Sequence, residues 1–404
     1  MKLLWVLPKW PLPMQDGARV ANISLIQGLS QLGQTLDVVA VAGQDEIVNL
    51  EELKKIAPIR NALVIRREKA APRSSLAGII GLLKALMARP WLAMTLFPYA
   101  AKSISSELNQ LVSKETYDFI VYDGLHPAAH SSSFGTYVPQ KGFPRIVYRA
   151  HNVEADIWTR KAAQTGFFLV KWMIHFQAAL MRRFENSLAR HAAAVMTVSE
   201  VDWNRFKVQI PQLKGTVVPI GYDFGSEPER STHDHQVLFL GKLDWPPNRD
   251  GLIWLLEKVW PQVIKRRPEL KLLVAGSGSS EGLNDLLQAP GVKFLGRVPS
   301  VEAIYRECLV ALVPVFYGSG TRVKAIEASR YGRACLGTEI GVEGLGLVEN
   351  ETYIRAESAE QWIDQLSALN GDQAKVIGDR AYAKLKSGFH LPEVAKAFVA
   401  ALKP

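Results

Sequence analysis

Cysteine is scarce: the 404-residue chain has two, Cys308 and Cys335, each inside an apolar segment. A disulfide-stapled scaffold is therefore excluded, and two buried, reduced thiols of a cytosolic protein are the reading that fits. Long apolar runs are missing as well. Leu3–Leu7 stops at Pro8, short of the ~7–15 residues of a signal-peptide core, and reads as a buried first strand. The longest apolar stretch, Gly166–Leu180, is interrupted by Lys171 and His175. Nothing reaches the ~18–20 uninterrupted residues of a spanning helix. The chain also lacks a repeat at solenoid or propeller period. It has no G-x-G-x-x-G, which sets aside a dinucleotide-binding oxidoreductase.

Acidic residues are thin in one half. Net charge is +9; residues 1–210 carry 25 basic and 16 acidic side chains, and the remainder is balanced at 23 and 23. Residues 55–102 hold nine of the cations against the single acid Glu68, interleaved with Leu76, Ile79, Ile80, Leu83, Met87, Trp91 and Phe97. A basic amphipathic surface of this kind suits an anionic bilayer, and a solvated charged face over a core is the plainer alternative. No nucleic-acid recognition motif accompanies the charge.

What is present is a rhythm. Apolar runs of strand length alternate with helical segments: Leu3–Leu7, Leu36–Ala42, Phe119–Tyr122, Arg145–Tyr148 and Ala193–Thr197 in the first half. Gln236–Leu240, Lys271–Ala275, Val292–Leu295, Val310–Val313 and Ala334–Leu336 follow in the second. Continuous rather than alternating apolarity marks strands covered on both faces, and strand–helix alternation predicts parallel sheets. Turn formers without buried periodicity between Pro219 and His235 predict a break. The boundaries expected are a first domain over 1–220, a linker over 221–235 and a second domain over 236–387. A last helix within 388–404 is placed so that it can pack back on the first domain. In such sheets ligands sit outside the carboxyl ends of the strands.

The densest chemistry lies in Val313-Pro-Val-Phe-Tyr-Gly-Ser-Gly-Thr-Arg-Val-Lys-Ala-Ile-Glu-Ala328. A strand ends near Pro314, a glycine loop follows, and a helix is predicted from about Thr321, with Thr321 as its N-cap. Free amides at a helix start attract anions. Gly320 permits close backbone approach, and Arg322 and Lys324 supply charge suited to a diphosphate. Glu327, on the same helix, can accept hydrogen bonds from vicinal hydroxyls. Any one of these residues also suits a capped surface helix; together they describe an anion site.

Continuing through Tyr331-Gly-Arg-Ala to Gly341-Val-Glu-Gly-Leu345, this segment resembles the donor-site signature of the group 1 (GT4) glycosyltransferases. Val237-Leu-Phe-Leu-Gly-Lys-Leu243, Val274-Ala-Gly-Ser-Gly278, Phe294-Leu-Gly-Arg-Val298, Thr197-Val-Ser-Glu200 and Val218-Pro-Ile-Gly-Tyr-Asp223 resemble further family segments. The resemblance spans almost the whole chain, more loosely in the first half. It implies an α/β protein of the GT-B fold, two doubly wound Rossmann-like domains facing across a cleft. It implies a retaining transferase moving a sugar from a nucleotide diphosphate to a saccharide or lipid-linked acceptor. The family's phosphate cation falls on Lys242, the base beside Arg297 and Val298, and the ribose on Glu327. The amides of Ser319–Val323 with Arg322 and Lys324 would hold the diphosphate. Two positions depart: Ser319 stands where the first family glutamate is common, and Asn248 where a second phosphate cation is common.

In the first half, Gly17 and Arg19 follow the first strand, a weak signal for a phosphate or acceptor contact. Tyr148-Arg-Ala-His-Asn152 follows a buried strand, where loops carry function; the resemblance places His151 on the donor sugar facing the acceptor, with Arg149 and Asn152 beside it. No Asp-x-Asp occurs, so the cations are expected to do a divalent metal's work, with no metal and no cofactor. A cytoplasmic location, peripheral on the inner membrane face through residues 55–102, is the expectation, in polysaccharide or glycolipid assembly. A nucleotide-sugar epimerase or phosphorylase of the same architecture, or a non-catalytic binder, are the alternatives.

Overall fold

The structure is a computed structural model that describes residues 1–14, 17–66, 101–133, 136–163, 166–228, 230–278, 282–317 and 322–403. Most of the basic stretch 55–102, and the loop residues Gly318, Ser319, Gly320 and Thr321, lie outside the described residues. The chain divides into two compact units, Met1–Gly221 with Leu391–Pro404, and Tyr222–His390.

In the first unit, β1 (Lys2–Leu7), α1 (Gly17–Gln31), β2 (Thr35–Ala42), α2 (Leu50–Ile56), β3 (Asn61–Arg66), α3 (Ala101–Lys114) and β4 (Phe119–Asp123) follow in order. A short ribbon of β5 (Ser132–Ser133) and β6 (Thr136–Tyr137) precedes β7 (Arg145–Ala150). Then come α4 (Glu154–Ala163), α5 (Phe168–His191), β8 (Ala194–Thr197), α6 (Glu200–Gln209) and β9 (Gly215–Val217). Seven strands form one parallel sheet in the order β3-β2-β1-β4-β7-β8-β9. Successive residues send side chains to opposite faces. Leu4, Val6, Ile120 and Tyr122 thus pack in one core, while Leu3, Trp5, Phe119 and Val121 pack in another on the other side. Both faces need apolar residues, which is why these strands read as unbroken apolar runs.

The second unit repeats the plan. It contains β10 (Gln236–Leu240), α7 (Pro246–Trp254), one π turn (Leu255–Val259) running into α8 (Trp260–Arg266), β11 (Lys271–Ala275) and β12 (Val292–Gly296). It continues with α9 (Val301–Glu307), β13 (Val310–Val313), α10 (Val323–Arg330), β14 (Ala334–Gly337), α11 (Glu339–Val342), β15 (Ile354–Arg355), α12 (Ala359–Ser367) and α13 (Gly371–Phe389). The parallel order is β12-β11-β10-β13-β14-β15. In each sheet the strand order reverses beside the first strand, between β1 and β4 and between β10 and β13. Those switch points are where an open α/β sheet leaves a crevice for a ligand.

Five strands were not anticipated: the two-residue ribbon strands β5 and β6, and the edge strands β3, β9 and β15, short or less apolar than the central ones. The stretch read as a linker, 221–235, packs on the second unit from Tyr222 onward. Tyr222 N donates to Phe389 O at 2.8 Å and Thr232 N to Arg306 O at 2.8 Å. The last helix, α14 (Leu391–Ala400), belongs to the first unit, where Phe398 stacks on Trp5 with centroids 5.5 Å apart. Cys308 and Cys335 are buried free thiols, and burial pushes both up to about 12.

Candidate functional site

At the switch point of the second unit, the loop after β10 and the loop after β13 end beside one another. Tight backbone contact brings the turns in: a Cβ on Gly276 would meet the carbonyl oxygen of Gly241 at 1.8 Å, and one on Gly241 would meet Lys324 Nζ at 2.7 Å. Only glycine fits at 276, where the obstacle is backbone and φ is +156°; at 241 a side chain would displace the Lys324 ammonium. Asn248, at the position where a second phosphate cation was expected, is buried, and its Nδ2 donates to Lys242 O at 2.9 Å. It braces the loop that carries Lys242 instead of supplying charge. Between the loops lies a cavity of about 180 Å³ lined by Trp245, Pro247, Val315, Tyr317, Arg322 and Lys324 among others. The Tyr317 hydroxyl is hydrogen-bonded to Asp250, and the Thr338 hydroxyl to Val315 O, fixing the far wall.

Three cations reach this region, each held differently. Lys242 is exposed, with Nζ 3.1 Å from Asp244 Oδ2. Arg322 is almost covered, and its Nη2 donates to the exposed Glu343 at 2.6 Å. Lys324 is half-buried as a residue, but its ammonium is fully enclosed and has no hydrogen-bond partner among the described residues. It lies 4.1 Å from the centroid of the Phe239 ring. Burial pushes its pKa down to about 7, against the pull of Glu327. One turn along, burial pushes Glu327 up to about 7, opposed by Arg330 and Lys324. Among the described residues Glu327 forms no ion pair.

The helix start differs from the sequence reading. Helix α10 begins at Val323 with Arg322 in the N-cap position and no side-chain cap bond; Thr321 lies outside the described residues. Arg297 and Val298 come just after β12, Arg297 exposed and Val298 half-buried. The Gly276 amide donates to Gly296 O at 2.8 Å, tying that strand end to the neighbouring one. Ser319, Gly320 and Thr321 carry no structural account here, being outside the described residues.

At the switch point of the first unit the charges are internal. Asp123, the last residue of β4, and Arg149, on the neighbouring β7, stand in register and are fully buried. Arg149 Nη1 donates to Asp123 Oδ2 at 3.1 Å and to Asn22 Oδ1 at 2.8 Å. Trp5 Nε1 donates to Asp123 Oδ2 at 3.0 Å, and His151 Nε2 is hydrogen-bonded to Asp123 Oδ1. Burial opposes ionisation of Asp123, yet His151 and Arg149 hold its carboxyl below the usual range. His151 is the partly exposed end of this chain of contacts, with Asn152 half-buried next to it. Behind the loop, Glu185 of α5 accepts from Glu154 N at 3.1 Å and from Tyr148 Oη at 2.8 Å; burial pushes it up to about 8. Gly17 opens α1, and the nearby Arg19 is engaged by Trp10 O at 2.9 Å and Glu46 at 2.9 Å, bonds that tie the first loop down.

Sequence reasoning missed Asp123, Asn22, Trp5, Trp245, Tyr317 and Glu343. The available signal for Asp123 was an acid closing an otherwise apolar strand before Gly124, whose φ is +87°. Among the described residues no cluster of three His, Cys, Asp or Glu is arranged to hold a metal. No helix among them is long and apolar enough to cross a membrane.

Two Rossmann-like parallel sheets, each with a crevice at its switch point, are features of the GT-B fold, and comparison with known proteins agrees. The computed structure superposes on Anabaena HepE, solved with UDP and glucose, with TM-score 0.60 at 14% identity, covering 100% of this chain and 99% of that one. A Staphylococcus aureus TarM variant, solved with fondaparinux, α-GlcNAc-glycerol and UDP, gives 0.67 at 10% identity with complete coverage of both. The pneumococcal O-GlcNAc transferase GtfA, with UDP and GlcNAc, gives 0.61 at 10% identity, covering 99% and 98%. A curated relative, an uncharacterized 44.6 kDa protein in the cps region of Klebsiella pneumoniae, is 23% identical over 88% of this chain and 87% of its own length. Residues 234–372 match the family described as glycosyl transferases group 1. The second unit therefore carries the match to the group 1 glycosyltransferases, and the chain as a whole has the GT-B fold.

Proposed function

We propose that the enzyme is a retaining transferase of the GT4 type. It moves a sugar from a nucleotide diphosphate held by the second unit to a saccharide or lipid-linked acceptor. The observation that carries this is the convergence of Arg322 and Lys324 on one cavity beside a helix start, with Lys242 exposed on the loop after β10. A diphosphate leaving group gathers negative charge as its bond to the sugar breaks, so fixed cations stabilise the transition state more than the ground state. Lys324 has an enclosed ammonium awaiting an anion, and the pairs Lys242–Asp244 and Arg322–Glu343 have exposed carboxylates that a diphosphate can displace. Glu327 takes the ribose hydroxyls, and Arg297 and Val298 flank the base. Ser319, Gly320, Thr321 and Val323 supply backbone contacts to the phosphates.

In this reading the bond from the anomeric carbon to the phosphate oxygen breaks while the acceptor oxygen bonds on the same face. The departing phosphate oxygen takes the acceptor's proton, so no dedicated base is needed. His151, fixed by Asp123 and Arg149, orients the reacting groups, with Asn152, Gly17 and Arg19 at the edge of the acceptor region. The structures of HepE, TarM and GtfA with UDP support uridine in the donor. The cps-region relative supports cell-surface polysaccharide as the product class. Attachment to the inner membrane face through residues 55–102 completes the proposal. Thermal shift with UDP-, GDP-, dTDP- and ADP-sugars tests it: a true donor at a hundredfold its dissociation constant adds about 2.7 kcal/mol. Stabilisation by none of the four would sink the reading.

A further inference from the structure

Helix α5 turns an unusual face outward. Its inner face is Ile174, Gln177, Ala178, Met181, Phe184 and Leu188, all buried. Opposite them, four residues apart along the helix, stand Phe168, Trp172 and Phe176, 74%, 60% and 48% exposed. Phe167 and Met173 flank this row and are exposed too. The Trp172 and Phe176 rings stack, with centroids 5.7 Å apart and 6° between their planes. From Phe168 to Phe176 the helix advances about 12 Å, so the apolar surface is continuous. The outward stripe of a helix on a globular unit is ordinarily polar or charged, and an apolar one marks a contact surface.

The charge on the same face narrows the partner. Between Asp156 and Glu185 there is no acidic residue, against Arg160, Lys161, Lys171, Arg182 and Arg183. Lys171, His175 and Arg183 share the exposed side with the aromatic rings. Arg182 is held by Asp156 at 3.0 Å, which pins α5 to α4. Aromatic rings set among cations, without one carboxylate, complement a layer with anions at its surface and hydrocarbon just beneath.

We propose that the outward face of α5, from Phe167 to Phe176, seats this enzyme on an anionic bilayer, the helix lying in the plane of the interface. The rings enter the headgroup region and Lys171 and Arg183 meet phosphates. This surface is built from residues outside the stretch 55–102 and outside the side chains named at both switch points. It belongs to the same hairpin as the His151 loop: α4 starts at Glu154, whose amide donates to Glu185 of α5 at 3.1 Å. Bilayer contact therefore holds that loop near the membrane surface, where a lipid-linked acceptor presents its headgroup. The inference deepens the membrane part of the proposed function and is independent of the donor site.

Flotation of the full chain with vesicles tests it, using phosphatidylglycerol-rich and pure phosphatidylcholine membranes. Binding is expected to the anionic vesicles and to be about tenfold weaker to the zwitterionic ones. The double change Trp172→Glu and Phe176→Glu should remove binding, while Lys171→Glu should weaken it about fivefold. UDP-induced thermal stabilisation, measured in parallel, should be unaltered in each variant, showing that the protein is folded and its donor site intact. Should the double variant misfold, Lys171→Glu and Phe168→Ser carry the test alone. Wild-type protein that ignores anionic vesicles, variants that bind like wild type, or a dimer that these changes make monomeric would each overturn the proposal. In the last case the face serves a second copy of the chain.

Discussion

The two switch points of this chain share a topology and differ in where their charges go. In the second unit, two loops and a helix start gather three cations, two of them paired with exposed carboxylates and one paired with none among the described residues. In the first, Arg149 and Asp123 are sealed from water and paired through Arg149 Nη1, with His151 as the partly exposed end of the chain of contacts. The same fold position can therefore gather cations open to exchange, the proposed anion receptor, or build a rigid mount for one side chain. Which it becomes depends on whether the charges can exchange partners.

Removing Arg149 tests the mount and carries the largest expected effect. Arg149→Met leaves a buried carboxylate without its guanidinium, a loss on the scale of about 3–5 kcal/mol, to be read by chemical denaturation. A loss under about 1 kcal/mol would mean that the pair is not the structural unit described. Lys242→Ala tests the receptor. It should leave the denaturation midpoint nearly unchanged, since both ends of the pair are exposed. Turnover should fall roughly 10²–10³-fold, the scale for losing one transition-state charge. Near-normal turnover would remove Lys242 from the proposed role.

The receptor should also respond to pH in a way the mount should not. Lys324 falls from 10.5 to about 7, and Glu327 rises from 4.5 to about 7, burial being the leading cause of each. Between about 7 and 10.5 the unfolded chain therefore holds more protons at Lys324, so that group makes stability rise with pH. Between 4.5 and about 7 the folded chain holds more at Glu327, so that group makes stability fall as pH rises. For donor binding the two act together: on the acid side the lysine lining the cavity is charged and the buried Glu327 one turn along is neutral, on the alkaline side the reverse. UDP-glucose, whose diphosphate does not titrate here, should bind roughly tenfold more weakly at about pH 8 than at about pH 6. Calorimetry at both pH values checks this, and Lys324→Met should flatten the dependence. The smallest expected effect is that of EDTA. With protein cations in the metal's role, turnover after chelation should be unchanged, and complete loss would show that they are not sufficient.

Much of the architecture was legible because buried parallel strands leave a strong trace. All ten of the strands anticipated are present, since Leu3–Leu7 or Val310–Val313 must be apolar on both faces to lie between helix layers. The edge strands β3, β9 and β15 left less trace because an edge is covered less completely. The charged cluster at the start of α10 could be picked out because Arg322, Lys324 and Glu327 sit within one helical turn or two of each other. Asp123 could not, because its partners Trp5, Asn22 and Arg149 are distant in the chain and meet only where β1, α1 and β7 converge. The exposed row on α5 was likewise hidden inside an apolar stretch that, by pattern, reads as core.

Sequence by itself determined the alternation of elements, the parallel sheets and the presence of a compact charged cluster beside a glycine-rich segment, all of which depend on neighbours within a few residues. Tertiary structure alone decided that Lys324 is enclosed and Lys242 exposed, that Asn248 braces a loop, and that Arg149 and Asp123 form one buried pair. Burial and partnership are properties of surfaces brought together from distant parts of the chain. A residue's charge state and freedom to meet a ligand follow from those surfaces, not from its neighbours in sequence.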